Sequence, residues 1–345
     1  MKAPTMTDVA QLAGVSHATV SRVVNGRAGV NSETEALVRK AMADLQYLAP
    51  PTENRPGKSA RRSKSDAIRH IALLTFDRAL TEHSTFVASI YEGARRAASE
   101  QGIAVSLLSL DDIDTVPGWI HPDNIDGLLL HGLRSRAYLA RTADKIPSLW
   151  LTTHEDGGVN AVLPGNRQVG KLAAEWLLER GHERVTTLSI DPGNASYEVR
   201  TESFQDSVRQ QGARFVSCRL TASEHTREAH PEARMQFLVR KWKTKEKSER
   251  PTGIFSPSDY MTALAYAAFR RESVRPGKDL EIVSCDNEEA YLTGLFPRPT
   301  TIDLGTEERG RMAFELLLAR IRDPGLDRRA ALILEPELVL SPDLS

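Results

Sequence analysis

From residue 69 to about residue 340 the sequence alternates short apolar runs with amphipathic stretches, and this rhythm restricts the fold more than any other feature. The runs and helices read "IALLTF", "FVASIYEGARRAASEQG", "IAVSLLSL", "DGLLLHG" and "PSLWLT". A second series follows through "NRQVGKLAAEWLLERG", "RVTTLSI", "ESFQDSVRQQG", "GIFSP" and "EIVSCD". Apolar runs of this length suit strands buried on both faces, and helices between them call for parallel sheets covered on each side. The pattern predicts an α/β body of two Rossmann-like subdomains. Subdomain 1 covers about 69–163 and 290–322, and subdomain 2 about 164–289 and 323–345. After "TTIDL" and a helix over 305–322, "ALILEPELVL" is expected to return as strands across both units. Such crossings make a hinged pair with a ligand cleft between its halves.

The first 48 residues follow a different period. Thr5 with Asp8 can cap a helix start, and Val9, Ala10, Leu12 and Ala13 continue at helical spacing. Gly14 ends that helix where a positive φ costs little, and Ser16 is placed to cap the next one. In the second helix Val20, Val23 and Val24 turn inward, while His17, Ala18, Ser21 and Arg22 share the opposite side. Ser32 with Glu35 forms a further capping box, and Leu37, Val38, Ala41, Met42 and Leu45 make the apolar stripe of a third helix. On composition alone, a small bundle with a solvated polar face is as good a reading as a functional one. The spacing favours a helix-turn-helix, whose second helix needs short side chains near its start to enter the major groove and a long donor to reach a guanine edge.

The segments "TDVAQLAGVSHATVSRVVNG" and "VNSETEALVRKAMADLQY" resemble the DNA-binding head of the lactose-repressor family of bacterial transcription regulators over residues 5 to 47. The resemblance implies base reading by His17, Ala18 and Arg22. It implies phosphate contact or helix support from Ser16, Thr19, Ser21 and Asn25, with Thr5 also at the DNA. Ala18 has no hydrogen-bonding side chain, so it would read a thymine methyl or act by exclusion. The body resembles the same family's effector domain, related to periplasmic sugar-binding proteins, through "LLERGHERVTTL", "SYEVRTESF", "GIFSPSDYMTALAYAAFR" and "FPRPTTID". By position, Arg200 and Asp286 fall where the family holds its small ligand. Ser258 stands where asparagine is commoner, and Thr152 where an acid or amide often meets sugar hydroxyls. Arg200 and Asp286 each also have a plainer reading, as half of an ion pair or as a surface charge.

The head and body are joined by residues 49–68, a proline-containing basic linker. Arg61, Arg62 and Lys64 are placed to hold phosphates. "SARRSKS" aligns with the family's hinge helix and puts Ser63 in the slot of a groove-wedging leucine. "GKS" at 57–59 lacks the earlier glycine and the preceding strand of a phosphate loop. Overall net charge is -1, yet the first 65 residues hold ten basic and five acidic side chains, so only the head suits a polyanion. Cys218 and Cys285 are the only cysteines and have no metal-binding spacing, and the nine histidines form no HExxH pattern. No GxSxG or GxGxxG motif appears, so catalysis and cofactors are not expected. With no signal-like opening, a cytoplasmic, ligand-responsive repressor acting on a pseudopalindromic operator as a homodimer is expected, its effector a carbohydrate or derivative. The absence of a heptad tail after "LVLSPDLS" argues for assembly stopping at the dimer. The body alone would also allow a small-molecule binding protein with no DNA role.

Overall fold

The computed structural model describes residues 5–24, 30–45, 68–76, 85–110, 119–132, 146–152, 160–218, 220, 230–323, 325 and 328–344. The expectations for Asn25, the linker with Arg61, Arg62 and Ser63, and the "GKS" segment fall outside these residues. The chain divides into two compact units, Met1–Asp66 and Ala67–Ser345.

In the first unit, α1 (Met6–Ala13), α2 (His17–Val24) and α3 (Ser32–Asp44) close one small core. Val9, Ala10, Val20, Val23, Val38 and Ala41 form its buried centre. The Thr5–Asp8 capping box is present at the start of α1, and Gly14 caps its end with φ 64°. Ser16 Oγ accepts from the Thr19 amide at 3.1 Å, as its place before α2 predicts. Two expectations need correction. The cap of α3 is Asn31, whose side chain accepts from the Thr34 amide at 2.8 Å, rather than Ser32. Leu12 and Leu37 are each 54% exposed. At about 100° per residue, both lie roughly a quarter turn or more from the centre of the stripe that their neighbours define.

The second unit holds β1 (His70–Phe76), α4 (Phe86–Glu100), β2 (Ala104–Leu110), β3 (Gly127–Gly132), β4 (Ser148–Trp150) and β5 (Ala161–Pro164). Next come α5 (Asn166–Glu179), β6 (Arg184–Thr187), α6 (Ala195–Gln210), β7 (Arg214–Phe215), α7 (Pro231–Lys243), β8 (Gly253–Phe255), α8 (Asp259–Arg271) and β9 (Glu281–Val283). The chain closes with α9 (Glu289–Leu292), β10 (Thr301–Asp303), α10 (Thr306–Arg322), β11 (Ala331–Leu334) and β12 (Glu337–Val339). One parallel sheet has the order β11-β5-β4-β3-β1-β2 and the other β7-β6-β8-β9.

Both faces of the central strands of each sheet are covered, which explains why those strands read as nearly unbroken apolar runs, whereas the edge strands β2 and β11 are partly exposed. Ile71, Leu73 and Leu129 point to α4 and α10, whereas Ala72, Leu74 and Leu130 belong to the cluster on the other face with Ile125 and Trp150. In the second sheet Val185, Phe255 and Val283 face α5 and α6, and Ile254 and Ile282 face α7 and α8. Helices α4 and α10 cross at two glycines. A methyl on Gly93 would lie 1.9 Å from the Glu307 carbonyl oxygen, and one on Gly310 2.0 Å from that of Ile90.

The subdomain boundaries expected near the end of the chain also differ. Residues 331–334, expected with subdomain 2, pair with β5 of the first sheet in register Ala331↔Ala161. Residues 300–303, expected with subdomain 1, run beside β9, where the Ser284 amide donates to the Thr300 carbonyl, the Ile302 amide to the Ser284 carbonyl and the Asp286 amide to the Ile302 carbonyl. Only the strand pairing, invisible in a single apolar run, decides between the two sheets.

Candidate nucleic-acid interface and effector cleft

The outer face of α2 carries the predicted reading residues. Ser16, His17, Ala18 and Arg22 are exposed, and Thr19 and Ser21 are half-buried. Ser16 and Thr19 share a hydroxyl bond of 2.9 Å, which fixes the first turn of the helix. Thr5 is engaged at the start of α1, its amide donating to Asp8 Oδ2 at 2.7 Å. Short side chains at the start of α2 and a free-reaching guanidinium one turn on match what a groove-entering helix requires.

In the body, the predicted ligand residues gather beyond the carboxyl ends of the second sheet. Open α/β sheets receive ligands at this end of their strands. Arg200 lies on α6, which approaches α5 so closely that a methyl on Gly170 would meet the Arg200 carbonyl oxygen at 2.3 Å. Its guanidinium donates from Nε to Asn166 Oδ1 at 2.9 Å and from Nη1 to the Pro257 carbonyl at 2.6 Å and Asp286 Oδ1 at 2.9 Å. The plainer reading of Arg200 and Asp286 thus holds as a local fact, since their side chains form one buried ion pair at 4% and 11% exposure. Tyr197 places its ring 5.7 Å from the guanidinium, and burial holds its phenol well above the usual range.

Asp286 adopts φ 108°, a region that costs an ordinary residue of order 1–3 kcal/mol. Burial pushes its carboxyl up to about 6 against the pull of Arg200. Burial likewise works against the Arg200 charge, but anionic neighbours including Asp286 raise its pKa overall. Ser258 is buried and caps α8 by accepting from the Met261 amide at 3.2 Å. Thr152 accepts from the Gly132 amide at 2.8 Å and so fastens the ends of β4 and β3. The structure brings Arg200, Asp286 and Ser258 to one sheet end, while Thr152 stands at the end of the other sheet.

Sequence reading missed three groups here. Asp259, at the start of α8, accepts from Ser284 Oγ, from Thr301 Oγ1 at 2.9 Å and from the Glu288 amide at 2.7 Å. Burial pushes its carboxyl up to about 8, which favours its protonated form. Thr85, just before α4, donates to Glu288 Oε1 at 3.0 Å and ties the first half of the body to the second. Arg309 of α10 is fully buried with its guanidinium 4.4 Å from the Phe86 ring centre. Its sequence signal was available: it sits at i−4 and i−8 from Ala313 and Leu317, on the apolar stripe.

A separate groove of ≈ 300 Å³ opens at the amino-terminal end of β8 and β9, lined by Arg180, His182, Thr252, Glu281, Arg298 and others. Its charges already satisfy one another, with Arg180 2.5 Å and His182 3.0 Å from Glu281. Among the described residues, no helix is long and apolar enough to cross a membrane and no metal-ligating cluster occurs.

Residues 5–49 match the family model described as bacterial regulatory proteins, lacI family, and residues 174–340 match that of the periplasmic binding protein-like domain. The HTH-type transcriptional repressor PurR of Vibrio atlanticus (strain LGP32) is 27% identical over 346 residues, covering 97% of each chain. The ribose operon repressor of Escherichia coli (strain K12) is 23% identical over 337 residues, covering 94% of this chain and 95% of its own. The fold is that of a transcriptional regulator CelR–cellobiose complex, with TM-score 0.66 and 24% identity over 98% of this chain and 99% of that one. The Lac repressor dimer bound to operator and the anti-inducer ONPF gives TM-score 0.63 and 21% identity over 99% and 98%. With a matching head, a matching body and relatives aligned from end to end, the chain joins the DNA-binding head of the lacI family of bacterial regulatory proteins to a periplasmic binding protein-like body.

Proposed function

We propose that this protein is a ligand-responsive transcription repressor that binds a pseudopalindromic operator as a homodimer, in the cytoplasm and without catalytic activity. One observation carries the reading: a capped two-helix turn with a short, polar, cationic outer face is joined in one chain to a body whose sheet ends hold buried donors and acceptors. His17, Ala18 and Arg22 read bases. Thr5, Ser16, Thr19, Ser21, Asn25, Arg61 and Arg62 hold phosphates or steady the reading helix. Two heads related by a two-fold axis then meet two half-sites. The head covers 1–48 and the linker 49–68.

The effector site takes in Arg200, Asp286, Thr152 and Ser258. A polyhydroxylated ligand suits Arg200 and Asp286, because the guanidinium donates and the carboxylate accepts. Relatives named as the HTH-type transcriptional repressor PurR and the ribose operon repressor, and the fold match to a cellobiose complex, support a small effector.

The test is selection of binding sites from random duplex DNA with the purified chain, followed by anisotropy titrations across salt and with sugars added. A selected two-fold site whose affinity falls steeply with salt and shifts with a sugar is expected. Absence of salt-dependent DNA binding at about 50 mM salt would refute the regulator.

A further inference from the structure

Helix α10 places a charge where its apolar stripe should continue. Arg309 precedes Ala313 by one turn and Leu317 by two, and both of those side chains are in the core. The arginine is wholly buried, and none of Nε, Nη1 and Nη2 has a hydrogen-bond partner among the described residues. The Phe86 face offsets part of the cost of burying a cation, but it accepts no N–H bond of ordinary strength. Asp286, whose charge Arg309 feels, is already held by Arg200.

Arg309 stands where both sheets end. Its field acts on His131, next to the last residue of β3, and on Arg200 and Asp286 of the second half. Burial and then Arg309 hold the His131 imidazole down to about 3, so it adds no second positive charge there. Both sheets also finish in buried hydroxyls without partners among the described residues, Thr75 in β1 and Thr187 and Ser189 at the end of β6. Natural interiors rarely leave buried polar groups unmet unless something else meets them.

We propose that the effector of this protein is an acidic sugar derivative, whose carboxylate or phosphate is taken by Arg309 while its hydroxyls face Arg200 and Asp286. The proposal rests on the body being an effector-binding unit and specifies the charge of what it binds. A guanidinium fork matches two oxygens of either oxyanion, and a ligand carrying one supplies the missing counter-charge as well as the missing acceptors. A neutral sugar supplies acceptors but no counter-charge.

Thermal midpoints of the full chain test this at constant ionic strength, for the wild type and Arg309→Met. The probes are glucose, gluconate and glucose 6-phosphate, ribose and ribose 5-phosphate, and inorganic phosphate. At least one anionic probe should raise the wild-type midpoint by about 5 °C at a hundredfold excess over its Kd, and its neutral parent by no more than about 1 °C. Gluconate against the phosphates tells carboxylate from phosphate. Arg309→Met should lose that rise and, without ligand, melt no lower than the wild type, because it removes an uncompensated buried charge. Four results would each overturn the proposal: an equal rise with the neutral parent, a rise kept in Arg309→Met, no rise with any anion, or a ligand-free variant that melts far below the wild type. None of these readouts involves DNA. The anion can therefore fail while salt-dependent operator binding stands, and loss of operator binding would leave these midpoints unmoved.

Discussion

The two arginines proposed to carry recognition, Arg22 in the head and Arg200 in the body, sit in opposite surroundings. Arg22 is exposed on α2, and the small core of the head lies behind it without using it. Arg200 is 3% exposed and ties α5, the loop after β8 and the loop after β9 together through three bonds. An exposed reader can change its partner with little consequence for the fold. A buried one is part of the fold, so the proposed role of Arg200 in ligand recognition is tied to the stability of the body.

Substitutions can break that comparison. Arg200→Ala strands Asp286 without its cation, and the expected cost is about 3–5 kcal/mol of unfolding free energy by denaturant titration, alongside loss of the ligand response. A loss below about 1 kcal/mol would mean that the body tolerates the change as the head does. Gly310→Val drives a side chain into the Ile90 carbonyl and should cost about 1–3 kcal/mol or more, read in the same titration.

A pH series sharpens the contrast further. The folded-state values of Asp259, about 8, and Asp286, about 6, both lie above the roughly 3.9 of an unfolded aspartate. The folded body therefore holds more protons, and its stability is greatest below pH ~4 with respect to these groups and falls as pH rises through about 6 and about 8. Asp259→Asn should flatten the upper part of that decline; an unchanged slope between pH 6 and 8.5 would show that Asp259 is not its source. The smallest effect on stability is expected for Arg22→Ala, within about 0.5 kcal/mol. The same change should weaken binding to a selected operator by about 1–3 kcal/mol and to random DNA by much less, as measured by anisotropy.

Much of this arrangement was legible in the sequence because local rules govern it. Thr5 with Asp8, Gly14 and Ser16 set the caps and the turn of the head, and the apolar runs of the body marked its strands. Where the reading failed, the deciding contact was distant or the local signal had two solutions. Asn31 and Ser32 are adjacent hydroxyl- or amide-bearing residues that both favour a cap, and backbone geometry chose the first. The strand at 331–334 could have joined either sheet until its pairing with 161–164 was seen. Arg200 and Asp286 are 86 positions apart, so the motif could place them at one site but could not reveal that they bond to each other. Arg309 needed only the helical period, which sets a charged residue among Ala313, Phe314 and Leu317.

The strands β11 and β12 are separated by only Glu335 and Pro336, yet one completes the first sheet beside β5 and the other pairs with β10 next to the second. During synthesis, neither half of the body can finish its strand pairing until this short segment has left the ribosome. The half that is made first must wait some 170 residues for its last strand, on the order of ten to thirty seconds at ordinary elongation rates, with the edge of β5 uncovered. The order of assembly is thus set by the final strands, and the two lobes mature together instead of in the order in which they are translated.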